Sequence, residues 1–524
     1  VRRLDSGPKR TERLRGTVEE NLGRAGEIAG DLRAVASEFQ LPPPYTEADD
    51  AAAEKIRPLE IERRDLTKLV CLTIDPHDAK DFDDAVSIGK GERKRELLLG
   101  VHISDVAAWV RAGTKFDREA FRRSFSSYLP GMFLPMLPKA LTSKISLRAN
   151  RDSQAHSILF TIRESDGKIL KSERCHSLIH VKYRLNYDQV QAFITDPESA
   201  PKEWKTPLRR NLSRLIDITR KMRRLRAETE QFLPIETTEI RVLCDESAGR
   251  ITGIERKVQR EADQIVEECM LAANSAVAEE LIERKIPGIF RVHPEPDPGK
   301  IDEFSFFMEK TFRLRTGDLT NRANCCAFLE HLPSDHRKPV VISNFLRSLP
   351  RASYLEENAL HYGLGKYRYA HFTSPIRRYP DLIVHRQLWA ADTGKTLKSR
   401  KFMASAASEC SIREEKNDEA YFEANDRLKI HYLRMCGVEG GQPAAYEGVI
   451  SKVSSGGLLC DITDLGIYGF VPAKYLAGGM NYNRKARKLR ASRGHAEYRV
   501  GDFIYLVLDS LDMIHGRALF RPVV

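Results

Sequence analysis

At 524 residues the chain is longer than one compact core accommodates, so two to four domains are expected. Hydrophobic residues make up 41% and charged residues 30%, an ordinary globular balance. No apolar run approaches the roughly 18 residues a spanning helix needs, which excludes a helical membrane protein, while 85 Lys and Arg against 74 Asp and Glu leave a net charge of +11 that favours a polyanionic partner.

In chain order, Val1 to Arg15 are basic and polar with no apolar centre, so no secretory signal is expected. A helical stretch is predicted from Glu19 to Phe39, and Leu41-Pro42-Pro43-Pro44 then reads as a linker, making 1–60 a helical segment with linker. Strands are predicted at Leu69–Ile74, Ala85–Ile88 and Leu97–Ile103 from their β-branched and apolar content. Pro207–Arg226 sets Leu, Ile and Met among Arg and Lys at helical spacing, a basic amphipathic helix. Ala262–Arg284 reads as a core helix. A further helix should begin near Pro380 and carry Leu382, Ile383, Leu388 and Trp389 inward. Residues 395–435 are charged and helical in pattern, and Gly437 to Gln442 reads as a hinge. The runs YEGVISKV, GLLCDI, YGFVPA and FIYLVLDSL beyond it, five or so short strands in about 80 residues, suit a small β-barrel of the OB type. The expected fold is therefore α+β or α/β and multidomain, divided at 61–392, 393–440 and 441–524.

Nine cysteines, odd in number and without a CxxC pair, argue against zinc and against a disulfide framework. A reducing cytoplasm is the expected location.

Three stretches carry chemistry. In Asp75-Pro-His-Asp-Ala-Lys-Asp81-Phe-Asp83-Asp84 five carboxylates fall within ten residues of a connector between strands. Such crowding requires protonation or a bound cation, and oxygen-only ligands point to Mg2+ or Mn2+. A solvated acidic loop is the plain alternative; an EF-hand loop is disfavoured because its central glycine and closing glutamate are missing. The second stretch, His371-Phe-Thr-Ser-Pro-Ile-Arg377-Arg378-Tyr-Pro-Asp381 followed by His385, sets two arginines at a helix start, either a phosphate site or surface charge. His371 and His385 suit hydrogen-bonded core positions equally well. The third, Arg122-Arg123-Ser-Phe125-Ser-Ser-Tyr128-Leu-Pro130, mixes cations with aromatics, as base stacking or plain core packing would.

The order of these motifs resembles the ribonuclease II/ribonuclease R family. TIDPHDAKDFDDAVSI, VHISDVAAWV, SYLPGMFLPMLPKALTSKISL, IVEECMLAAN, RVHPEPDPGKI, HYGLGKY and HFTSPIRRYPDLIVHRQL follow in the family's sequence from about Arg64 to Leu388. The resemblance implies that 61–392 is an RNB catalytic domain. It further implies a divalent-metal-dependent, processive hydrolase that removes 5′-mononucleotides from the 3′ end of single-stranded RNA. Asp75, Asp81, Asp83 and Asp84 become the metal carboxylates, with Asp83 and Arg377 catalytic. Tyr128 becomes an aromatic packed on the terminal nucleotides, and Arg378 a further RNA contact. Members commonly carry two cold-shock barrels ahead of the metal motif, whereas 74 residues precede Asp75 here. Where some members carry a stacking phenylalanine, this chain has Pro287, with Phe290 nearby.

The C-terminal barrel resembles an RNA-binding OB domain, and its run Arg484, Lys485, Arg487, Lys488, Arg490 and Arg493 suits phosphate contacts. A monomer is expected. An RNA-binding protein with decayed catalysis would lack a metal carboxylate, and this chain retains all four together with Arg377.

Overall fold

The computed structural model describes residues 2–3, 16–24, 26–235, 239–245, 250–438, 445–463, 465–483, 488–492 and 495–523. Helix α1 (Ile28–Glu38) begins later than the Glu19 predicted from sequence. Gly23 and Gly26 both adopt positive φ, 114° and 80°, which interrupts a helix and delays its start.

Six strands then build one curled sheet. They are β1 (Arg64–Asp65), β2 (Cys71–Asp75), β3 (Asp84–Lys90), β4 (Glu96–Ser104) and, beyond helix α2 (Lys115–Arg123), the long hairpin of β5 (Arg151–Arg163) and β6 (Ile169–Asn186). The order is β1-β6-β2-β3-β4-β5, and β6 also pairs with β5. Strand β6 runs antiparallel to β5 up to Val181, slips register, and then runs parallel to β2 as far as Asn186 opposite Asp75. The central strands β2, β3 and β4 are covered on both faces and read as nearly continuous apolar runs, whereas β6 opens on exposed residues. One face sets Leu72, Ile74, Val86, Leu99, Val101 and Ile103 against helices; the other buries Cys71, Phe82, Ala85, Leu147 and Ile179.

Helix α3 (Tyr187–Thr195) starts at a capping box in which the Asn186 side chain accepts from Gln189 N. Helix α4 (Thr206–Glu230), with Pro207 in its first turn, and helix α5 (Glu261–Glu283) place Leu208, Leu212, Leu215, Ile265 and Ala273 on the sheet, as predicted from their spacing. Three helices that sequence patterns did not announce follow: α6 (Pro298–Phe307), α7 (Arg322–Glu330) and α8 (Lys338–Ser348). Helix α9 (Tyr379–Asp392) carries Pro380 at its start and buries Leu382, Ile383, Leu388 and Trp389, as expected. The charged stretch is one long helix, α10 (Arg400–Leu433), whose Ala420, Ala424 and Leu428 receive Leu32 and Val35 of α1.

The closing barrel comprises β7 (Ala445–Ser454), β8 (Gly457–Ile462), β9 (Ile467–Pro472), β10 (Phe503–Asp512) and β11 (Arg517–Pro522). Its order β7-β8-β9-β11-β10 closes through β7–β10, and β9 runs parallel to β11. This is the five-stranded barrel expected from the sequence. Its core is continuous with α6–α8: Val449, Leu458 and Phe520 share one cluster with Phe304, Phe312 and Phe345. The predicted hinge at Gly437–Gln442 lies largely outside the described residues. All nine cysteines are free thiols, and no helix among the described residues is long and apolar enough to cross a membrane.

Candidate active site

Strand β2 ends on Asp75 and β3 begins on Asp84, so the acidic connector spans adjacent strand ends. Phe82 pins it: the ring is buried, its N–H donates to Ser146 Oγ at 3.3 Å, and its carbonyl accepts from Leu147 N at 2.9 Å. The Asp83 carbonyl accepts from Ser104 N at 2.8 Å. With the backbone held this way, Asp75 and Asp83 are buried, Asp81 and Asp84 half-buried, and His77 and Asp78 exposed.

The electrostatics are those of an under-compensated cluster. Burial, then the charges of Asp84 and Asp81, push Asp75 up to about 7. Burial pushes Asp84 up to about 6 against the pull of Arg377 and Arg378. Burial and Asp81 likewise raise Asp83 well above the ordinary carboxylate range. Asp75 Oδ2 is buried without a hydrogen-bond partner. A buried carboxylate oxygen left in that state is costly, and a hard divalent cation is the ligand that satisfies several such oxygens together. The donor set therefore fits Mg2+ or Mn2+.

The arginine segment reaches this loop from 293 residues further along the chain. Ile376 N donates to Asp83 Oδ1 at 2.8 Å, and Arg377 Nε lies 3.6 Å from Asp83 Oδ2. Arg377 Nη2 donates to Ser374 Oγ at 2.9 Å, while 43% of the side chain stays exposed. The neighbouring arginine differs. Arg378 Nη2 donates to the fully buried Asp381 at 2.7 Å, tying the segment to the first turn of α9. Of the two adjacent guanidinium groups, only that of Arg377 lies beside the carboxylates with an open face.

The third stretch joins through its backbone. Ser126 N donates to the Arg377 carbonyl at 3.0 Å, and Tyr379 N to the Ser124 carbonyl at 2.8 Å. Ser124 ends α2 with φ 57°, which turns the chain into this pairing. Phe125 is buried near Tyr354, as the core-packing alternative has it. Tyr128 is 41% exposed; its ring lies 5.0 Å from Phe133 and its hydroxyl donates to Asp81 Oδ2 at 2.9 Å. Burial of that hydroxyl and the Asp81 charge push its pKa far up, so it remains a donor.

Two further side chains reach the cluster from β6 and α3. Arg184 stacks 4.7 Å over Phe82 and donates to the His77 carbonyl at 3.2 Å. Tyr187 is raised by burial and by the charges of Asp84 and Asp75. No motif marks either residue; the only sequence signal is the polar ending of the strand pattern. Both histidines are hydrogen-bonded within the fold, His385 buried and His371 half-buried. His385 Nε2 donates to the Phe372 carbonyl at 2.8 Å, and His371 Nδ1 is hydrogen-bonded to the Tyr354 hydroxyl at 2.8 Å.

An RNB domain matches residues 63–394. Ribonuclease R of Thermotoga maritima is 32% identical over 520 residues, covering 96% of this chain and 72% of that protein. The chain belongs to the ribonuclease R family. That membership makes it a 3′→5′ exoribonuclease, a hydrolase of RNA. Mycoplasma genitalium RNase R, solved with ribose-methylated single-stranded RNA, shares the fold at TM-score 0.87 and 23% identity, over 96% of this chain and 79% of that one. Yeast Ssd1, described as a pseudonuclease, shares it at TM-score 0.73 and 18% identity, over 90% of this chain and 59% of its own. The fold alone thus does not separate a ribonuclease R from an inactive relative, and the side chains on it must.

Other positions weighed against the family pattern divide. Phe290, close to Pro287 where some members carry a stacking phenylalanine, is buried. In the segment between β9 and β10, Arg484, Lys485 and Arg487 lie outside the described residues. Lys488 is described on a three-stranded sheet (Met480–Asn483, Lys488–Ala491 and Glu497–Arg499) apart from the five barrel strands, and its Nζ pairs with Glu497 at 3.0 Å. Away from the acidic loop, His156, His176 and Asp392 come close enough to share a metal ion. Arg174 already donates to His156 Nε2 at 2.5 Å and to Asp392 at 2.7 Å, so a guanidinium fills the cation's place.

Proposed function

We propose that this ribonuclease R family member degrades single-stranded RNA processively from its 3′ end to nucleoside 5′-monophosphates, using Mg2+ or Mn2+. The observation that carries the proposal is the convergence of Asp75, Asp81, Asp83 and Asp84 with Arg377 around a buried, unpartnered carboxylate oxygen. These four carboxylates would hold the metal, which when bound supplies activation of the attacking water and neutralisation of the leaving oxygen.

The chain's own groups do the rest. Arg377, anchored by Ser374 and presenting its open face, donates to the phosphate oxygens on which charge develops. Asp83, through Ile376, keeps that guanidinium in register with the acidic loop. Tyr128 offers its exposed ring to the terminal base while its hydroxyl stays tied to Asp81. Arg378 serves the RNA at one remove by fixing the start of α9. The barrel, with its OB-like strand order and the cations Arg484, Lys485, Arg487 and Lys488, holds RNA outside the catalytic unit of 61–392. Free thiols throughout suit a reducing cytoplasm.

The test is a time course on 5′-labelled single-stranded RNA with Mg2+, beside duplex RNA and DNA. Monophosphates released one at a time, a short resistant 5′ fragment and silence in excess EDTA support the proposal. An endonucleolytic ladder, or full activity in EDTA, refutes it.

A further inference from the structure

Helix α4 carries more positive charge than its packing uses. On the sides facing neighbouring elements, each cation is answered. Arg209 donates to the carbonyls of Trp204 and Ala200 at 3.1 Å each, and Arg220 pairs with Glu261. Arg223 and Arg226 share Glu268, at 3.2 and 2.7 Å. On the remaining face, Arg210, Arg214, Lys221 and Arg224 follow one another at intervals of four, seven and three residues, which places them on a single stripe. Arg210 and Arg224 are exposed and Arg214 half-buried; among the described residues no acidic side chain pairs with any of the three. Asp217 lies between them and is taken up by Lys221 at 2.7 Å. At 1.5 Å per residue the stripe runs about 21 Å along the surface.

Its place in the fold matters. Lys221 Nζ donates to the Glu164 carbonyl, in the turn joining β5 and β6. That turn lies at the end of the sheet marked by Lys90, Leu97 and Ile162, whereas Asp75 and Asp84 lie at the other end. No large apolar side chain of α4 is exposed. A protein partner needs apolar or aromatic anchors at the centre of its contact, whereas a phosphate backbone needs only spaced cations.

We infer that the Arg210–Arg214–Lys221–Arg224 stripe is a second RNA contact, gripping the phosphate backbone of a substrate long enough to extend past the catalytic site. The inference rests on RNA being the substrate. It assigns the stripe to substrate length rather than to chemistry.

The experiment compares the full chain with R210Q/R214Q/R224Q and with R210K/R214K/R224K, each in a D83N background so that bound RNA survives. Binding of an RNA of about 8 nucleotides and one of about 40 is followed by fluorescence anisotropy across a salt series. For the long RNA the glutamine variant should lose about two units of salt slope, at roughly 0.7 per single-strand phosphate contact, and the lysine variant should keep them. Short-RNA affinity, melting temperature and, with Asp83 restored, turnover of the short RNA should not change. An unchanged slope on long RNA returns the stripe to solvent or to an acidic protein, and equal losses on both lengths make the effect global; either overturns the inference. If the parent binds neither RNA, it is the underlying substrate reading that fails, and the inference falls with it.

Discussion

Asp83 Oδ1 accepts a 2.8 Å hydrogen bond from the backbone N–H of Ile376, so one carboxylate both belongs to the acidic loop and fixes the residue preceding Arg377. Its other oxygen lies 3.6 Å from Arg377 Nε. The register between the carboxylates and the guanidinium is therefore set by a main-chain contact that, proline apart, no substitution at 376 removes. Arg377→Lys keeps the charge but loses the planar fork. It should lower kcat roughly 10²–10³-fold with little change in KM, as expected for a donor that acts on developing charge. Single-turnover rates on single-stranded RNA measure this; a raised KM at unchanged kcat would make Arg377 a binding residue only.

Tyr128 separates ring from hydroxyl. Tyr128→Phe removes the hydrogen bond to Asp81 and keeps the ring, and should leave the length of the final fragment as it is. Tyr128→Ala removes a stacking surface worth about 1–3 kcal/mol per base and should shift the stopping point. With the ring 41% exposed, neither change should cost much thermal stability. A large drop in melting temperature with fixed product length would place Tyr128 in the core instead.

The acidic cluster predicts a particular pH dependence. Asp75 is held up to about 7, against roughly 3.9 for an unfolded aspartate. Between those values the folded chain keeps a proton that the unfolded chain releases, so metal-free stability falls as pH rises from about 4 to 7. The loss from this one group is on the order of 4 kcal/mol, fully developed above pH 7. A divalent ion competes with those protons, so Mg2+ should raise the melting temperature more at pH 8 than at pH 5. Asp75→Asn should flatten the metal-free profile and shrink the Mg2+ effect. Equal Mg2+ shifts at both pH values, or a profile unchanged by the substitution, would show that Asp75 is neither strained nor a ligand.

Much of this was legible in the chain because the relevant signals are local. Buried strands such as β3 and β4 announce themselves by apolar runs, and α4, α5 and α9 by spacing and a first-turn proline. The acidic run stands out because five carboxylates in ten residues are hard to place otherwise. Contacts over long separations were not legible. Nothing near Arg378 shows that Asp381 folds back to neutralise it while Arg377 stays open, since both acidic and basic neighbours are three or four residues apart. Arg184 and Tyr187 reach the site only because β6 slips register after Val181 and runs on beside β2. Likewise Gly23 and Gly26 look like tolerable helix residues until their positive φ angles are seen. The barrel's strands were visible in sequence, but the continuity of its core with Phe304, Phe312 and Phe345 was not.

The most direct test of the account is Asp83→Asn, measured as turnover and RNA affinity on one preparation whose melting curve matches the parent. The amide can still accept from Ile376 N, so the segment should stay in register, while the lost charge removes a metal oxygen and the attraction for Arg377. The expected result is a fall in kcat of roughly 10²–10³ or more, with RNA affinity kept or slightly raised. Near-parental turnover from a correctly folded Asp83→Asn protein would contradict it and return the acidic run to a solvated loop.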